Sequence, residues 1–189
     1  MLLNIGLAFG VDETTGLLAI SNGESTDFEV VGEYGVSVFD LRKASGSDSN
    51  ALNFKVSGVS LSYFTDGDKF TINAIGKIQP SIASYKKKVV ERGYSSTTTD
   101  IFSSPNRSGG RANYMKFVDI DTGLILSADS STYGETYETS PTTYRVSFKK
   151  LSSTQGYRGT DKNGDDRYAI VDLDLSIEPK LKQEETFLQ

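Results

Sequence analysis

The chain has 189 residues, of which 37% are apolar and 24% charged, with a formal net charge of −5. That length suits one domain of ordinary size or a small domain with an extension, and the acidic balance gives no broad electrostatic footprint for nucleic acid or an anionic membrane. Histidine and cysteine are both absent. This excludes disulfides, thiolate and imidazole metal sites, and any Ser-His-Asp or Cys-His set completed within this chain.

The opening residues Met1-Leu2-Leu3-Asn4-Ile5-Gly6 have neither a basic region nor an apolar core of signal-peptide length. No apolar run approaches the ~20 residues of a membrane span. The expectation is a soluble chain without a signal peptide or transmembrane segment, its compartment open. The abrupt start reads as an internal methionine of a longer protein. Residues 5–9 are continuously apolar or small, as in a strand buried on both faces of a parallel sheet. Residues 17–20 form a second short apolar strand, followed by a turn at Asn22-Gly23. Residues 28–31 and 36–39 are β-rich and separated by Gly32-Glu33-Tyr34-Gly35, which reads as a hairpin connection. Val59, Leu61 and Tyr63 alternate with Ser60 and Ser62. Asp66-Gly67 then marks a tight turn, so residues 56–75 are expected to form a second hairpin.

Beyond residue 78 the composition shifts. Residues 81–92 are ambiguous between a short helix and an exposed strand, and residues 93–111 are rich in Ser, Thr and Gly, a composition that buries little and predicts a flexible loop. Residues 114–126, 142–150 and 167–177 read as strands, and the charged tail from residue 178 as frayed.

Four blocks in the first part stand in a fixed order. Residues 10–17 read Gly-Val-Asp-Glu-Thr-Thr-Gly-Leu, residues 28–32 Phe-Glu-Val-Val-Gly, and residues 36–40 Val-Ser-Val-Phe-Asp. Residues 58–70 read Gly-Val-Ser-Leu-Ser-Tyr-Phe-Thr-Asp-Gly-Asp-Lys-Phe. Together they resemble the cyanophycinase family of serine exopeptidases, relatives of dipeptidase E. Its members show Gly-Ile-Asp-Glu-x-Thr-Ala-Leu, Phe-x-Val-x-Gly, Val-x-Val-x-Asp and Gly-Val-x-Leu-x-x-Leu-x-x-Gly-x-x-Phe in this order. Gly16 stands where the family has Ala. The resemblance covers residues 5–78 and says nothing of residues 79–189.

The resemblance implies a flavodoxin-like α/β fold and a Ser-His-acid triad acting on β-aspartyl-linked peptides such as cyanophycin. The family's serine elbow, Gly-x-Ser-x-Gly, and its Asp-x-His-Phe segment lie upstream of the Asp-Glu block, and this chain has neither. By its place in the motif, Glu13 corresponds to the triad acid that orients the histidine. Asp12 and Thr15 are expected to support its loop. The expected fold is therefore mainly β. Residues 1–78 would be the C-terminal remnant of an α/β peptidase domain, and residues 79–189 a β-rich extension with a flexible loop near 93–111. No cofactor and no metal is expected. The implied partners are the missing upstream part of the catalytic domain and, in the complete protein, a peptide substrate. No nucleic acid or membrane partner is implied. A different class of function stays open: a stand-alone β-rich binding or structural module, on a cell surface or virion.

Other features have a functional and a structural reading. Asp161-Lys162-Asn163-Gly164-Asp165-Asp166, with Asp172 beyond, echoes a calcium loop, but Asp166 stands where the sharp turn wants Gly. Asn163-Gly164 between β-rich flanks is an ordinary hairpin turn. Lys86, Lys87 and Lys88 with Arg92, Arg107 and Arg111 form a basic cluster, which reads as a solvated face or a guarded edge strand. Tyr133, Tyr137 and Tyr144 suit either a sugar platform or packing over a half-exposed sheet.

Overall fold

The computed structural model describes residues 6–47, 54–91, 93, 95–102, 116–140 and 142–180. The fold is β-rich, with two antiparallel sheets and one α-helix among these residues. The larger sheet has the order β1 (Leu7–Val11), β4 (Gly35–Asp40), β6 (Lys55–Thr65), β12 (Asp166–Pro179), β11 (Tyr144–Thr160), β10 (Ser131–Glu135). Two short strands join it, β5 (Ser45–Ser47) on β6 and β9 (Lys87–Lys88) on β11. The smaller sheet has the order β2 (Thr15–Ser21), β3 (Ser25–Gly32), β7 (Lys69–Asn73), β8 (Ile78–Ser81).

The larger sheet is the middle layer, apolar on both faces. Toward the smaller sheet it presents Val36, Val38, Phe64 and Ala169, which pack with Val30 and Phe70. Phe28, Phe64 and Phe70 stack there, Phe70 with its ring centroid 4.8 Å from each of the other two. Each fully buried side chain of this size contributes roughly 1.5–3 kcal/mol. Toward the helix the sheet presents Val59, Leu61, Phe148, Ile170, Leu173 and Leu175. The period-2 pattern of residues 59–64 thus serves two cores at once.

Helix α1 (Lys116–Leu126) covers that second face. The sequence reading of residues 114–126 as a strand is corrected here. Phe117, Ile120, Leu124 and Ile125 recur at helical spacing, and Ile120, Leu124 and Ile125 are buried. The β-branched residues in this stretch argue locally for a strand, and packing on the sheet overrides that preference. Close approach of the helix depends on Gly156 in β11, where an added Cβ would lie 1.8 Å from Ile125 Cγ2.

Both expected hairpins are corners instead. β3 and β4 lie in different sheets, as do β6 and β7. The Asp66-Gly67 turn is present, closed by Asp68 N donating to Thr65 O at 2.9 Å. The same turn chemistry that closes a hairpin here carries the chain from one layer to the other. β1 is an antiparallel edge strand beside β4, not a strand buried in a parallel sheet, and Phe9 and Val11 are partly exposed. The described residues of 81–92 hold β9 and no helix. Most of residues 93–111 lies outside the described residues, but Ile101 is buried in the helix-side core against Gly134, so the described part of this stretch does contribute to the interior.

The larger sheet runs across residue 78: β6 pairs with β12 from Val56↔Ile177 to Tyr63↔Ile170. No helix among the described residues is long and apolar enough to cross a membrane.

Candidate functional site

The turn joining β1 to β2 carries Asp12, Glu13 and Thr14 at the shared edge of the two sheets. It packs against the connection from β3 to β4. Asp12 N donates to Gly35 O at 3.0 Å, and Glu33 N donates to Thr14 O at 3.1 Å. The half-buried Asp12 carboxylate accepts from Gly35 N at 3.2 Å and from the Tyr63 hydroxyl at 3.0 Å. Thr15 Oγ1 accepts from Tyr34 N at 3.1 Å and donates to Glu13 O at 3.2 Å. Asp12 and Thr15 therefore bind the backbone on both sides of Glu13.

Burial raises the pKa of Asp12, and the hydrogen bonds from Tyr63 and Gly35 offset part of that rise. Burial, with the Asp12 charge alongside, raises the pKa of Tyr63 as well, so its hydroxyl stays a donor. The ring end of Tyr63 sits where a Cβ on Gly35 would be, 2.4 Å from Cζ. Thr14 adopts φ 53°, a left-handed conformation uncommon outside glycine. Glu13 itself is exposed. The turn thus holds an exposed carboxylate on a backbone fixed from below by a buried tyrosine.

Beside it lies an open cavity of about 430 Å³ lined by Glu33, Asp66, Asp161, Lys162, Asp165 and Arg167, among others. Arg167 donates to Glu33 O and to Asp161 Oδ2, the latter at 2.8 Å. Asp66 Oδ1 accepts from Gly32 N at 3.0 Å. Thr14 Oγ1 donates to Glu33 Oε2 at 3.0 Å, linking the Glu13 turn to this rim. The role of Arg167 is not visible in the sequence, because its bond to Glu33 O joins residues more than a hundred positions apart.

The other candidates resolve structurally. Asp161 Oδ1 accepts from Asn163 N at 2.8 Å and from Asp165 N at 3.0 Å, closing the β11–β12 hairpin turn. Asp172 lies well along β12, at a bulge with φ 60°, bonded to Ser60 at 2.8 Å. Among the described residues no group of acidic side chains is placed to hold a metal ion. Of the lysine cluster, Lys87 and Lys88 are exposed, but Lys86 is buried against Asp68, which corrects the reading of the whole run as a solvated face. The Arg145 guanidinium lies 4.1 Å over the Tyr133 ring and Tyr144 packs edge-on with Phe54, so both rings take part in packing over the sheet.

Two buried groups went unseen in the sequence. Lys86 and Asp68 form an ion pair at 2.5 Å. Asp121, on the sheet-facing side of α1, is fully buried, and among the described residues neither carboxyl oxygen has a well-formed hydrogen bond. The spacing of Asp121 one residue after Ile120 on an amphipathic helix was the only available signal.

No family model matches the chain. No solved structure matches it either.

Proposed function

We propose that the chain is the C-terminal part of a cyanophycinase-like serine exopeptidase, with Glu13 as the acid that orients a histidine held upstream. The observation that carries this reading is the Glu13 turn. An exposed carboxylate is presented on a loop fixed by Asp12, Thr15 and Tyr63, with a strained residue beside it at Thr14. Rigid support is what positioning a catalytic imidazole requires, and backbone strain clusters at sites of that kind. The blocks that carry the family resemblance also lie together: β1, β4 and β6 are neighbours in one sheet, and β2, β3 and β7 in the other.

In the complete enzyme a serine attacks the peptide carbonyl and the histidine takes and returns its proton. Glu13 fixes the tautomer of that histidine, a role worth roughly 10⁴-fold in rate in the serine-protease template. This chain, lacking histidine, is expected to leave β-aspartyl peptides intact. Sequencing the coding region upstream of Met1 and assaying the longer product with and without Glu13→Gln tests the reading. Loss of most of the turnover in the variant supports it. A longer product with no serine elbow and histidine, or undiminished activity in Glu13→Gln, ends it.

A second reading draws support from a different observation. Because β6 is hydrogen-bonded to β12 along most of its length, strands from beyond residue 78 (β10, β11 and β12) are built into the same sheet as β1, β4 and β6. A stand-alone β-rich binding or structural module accounts for that arrangement directly. Cooperative unfolding of the isolated chain, with a single transition by far- and near-ultraviolet circular dichroism, favours the module over an unsupported fragment.

A further inference from the structure

Asp68 and Lys86 form the most enclosed ion pair among the described residues. Lys86 Nζ lies 2.5 Å from Asp68 Oδ2, and neither side chain has exposed surface. Backbone donors fix the carboxyl group: Thr65 N at 2.9 Å from Oδ2 and Ala83 N at 2.9 Å from Oδ1. Thr65 Oγ1 lies 2.7 Å from Nζ and donates onward to Tyr168 O at 2.8 Å. The Tyr85 ring closes another side, 5.4 Å from Nζ.

Enclosing two charges this completely is a poor source of stability, because lost hydration commonly outweighs the attraction. The same enclosure favours uncharged partners. Burial raises the pKa of Asp68 and lowers that of Lys86, so transfer of one proton from Nζ to Oδ2 leaves a free amine against a carboxylic acid. Two groups held in van der Waals contact in one orientation react as an intramolecular pair, with the entropy of encounter already spent in folding.

We propose that Lys86 and Asp68 condense to an intramolecular isopeptide bond, cross-linking the turn after β6 to the segment that leads into β9. The neutral Nζ attacks Cγ of the protonated carboxyl group. The N–C bond forms, and the bond from Cγ to one carboxyl oxygen breaks. That oxygen keeps the acid proton, takes one proton from Nζ and leaves as water. Nothing is oxidised or reduced. Ala83 N–H faces Oδ1 and stabilises the negative charge that develops there, while Thr65 N–H holds the departing Oδ2 in place. The Thr65 hydroxyl accepts from Nζ at 2.7 Å and holds the amine beside the carboxyl group. The cross-link does not depend on the peptidase reading.

Intact-mass measurement of the purified chain after prolonged incubation at neutral pH tests this. The expected result is a species lighter by one water. Its tryptic digest should contain a branched peptide joining the segments that hold Asp68 and Lys86. Asp68→Ala and Lys86→Ala should each restore the full mass. Asp66-Gly67 can also lose water, by closing a cyclic imide, so the branched peptide is decisive. A wild-type chain that keeps its full mass, or a loss of water that survives in Lys86→Ala, overturns the proposal. Should either variant fail to fold, the wild-type peptide map decides alone.

Discussion

Asp68 and Asp121 are both fully buried, and the protein treats them in opposite ways. Asp68, at the corner between β6 and β7, accepts from two backbone N–H groups and faces a lysine. Asp121, under α1, has no well-formed hydrogen bond to either oxygen among the described residues, and only the adjoining Thr122 N–H faces it. Burial raises the pKa of both, but Asp68 is pulled back by Lys86 and by its hydrogen bonds. Burial raises Asp121 well above the ordinary carboxylate value; the Thr122 N–H offsets part of that rise, and the charges of Asp119 and Asp12 add to it. The contrast teaches that burial alone does not set the role of a carboxyl group. The corner near Asp68 is specified by its polar contacts, whereas the helix side is held by shape and apolar area in spite of Asp121.

The largest effect should follow from breaking the satisfied site. Lys86→Ala leaves Asp68 enclosed without its partner, and removing one partner of a buried pair typically costs about 3–5 kcal/mol. Urea denaturation of the variant at neutral pH measures it. A loss below about 1 kcal/mol would mean that the corner admits water and that the two sites differ less than their geometry says.

The helix side should fail through shape instead. Gly156→Ala places a methyl group 1.8 Å from Ile125 Cγ2, so α1 must shift or β11 must give way. Overpacking of this kind costs about 1–3 kcal/mol. Near-ultraviolet circular dichroism and thermal unfolding should show a loosened helix side with the smaller sheet intact.

Asp121 should behave in reverse, with removal of the charge stabilising the protein. Asp121→Leu is expected to gain about 1–2 kcal/mol near neutral pH, within the range for an unpaired buried polar group. The sign with pH follows from the raised folded-state pKa. Stability associated with the neutral carboxyl group is complete below the unfolded value near 3.8 and is lost as pH rises toward the folded value. The gain of the variant over wild type should therefore grow from acid to neutral pH. A gain that stays flat across that range would show that Asp121 has found a partner in solution.

The same contrast explains what could be read in advance. The β-rich class, the alternation of residues 59–64 and the turns at Asp66-Gly67 and Asn163-Gly164 are local patterns, and they stood in the sequence. Which sheet each strand joins is not local. A turn between β6 and β7 is the same four residues whether the chain folds back or crosses to another layer. α1 was hidden because its β-branched residues argue for a strand within a few positions, while the sheet that decides the matter comes partly from residues 144–179. Lys86 was hidden by its neighbours: three consecutive lysines look alike until the turn from Ala83 to Lys86, ahead of β9, places the first one inward. The Glu13 turn was visible as a motif, but its support from Tyr63 and the adjoining Arg167 came only with the fold.

The smallest effect on stability should come from the residue given the largest role in function. Glu13→Gln removes a charge from an exposed position on a turn whose backbone is held by other groups. Its cost should stay within about 0.5 kcal/mol, the usual range for a surface substitution away from special geometry. The neighbouring Asp12→Asn weakens the acceptor of both Gly35 N and the buried Tyr63 hydroxyl, so it should cost about 1 kcal/mol or more. Thermal unfolding of the two variants side by side tests whether adjacent carboxylates divide structural and functional work. If Glu13→Gln destabilises as much as Asp12→Asn, Glu13 belongs to the turn's own framework, and the argument that it is held out for a histidine loses its basis.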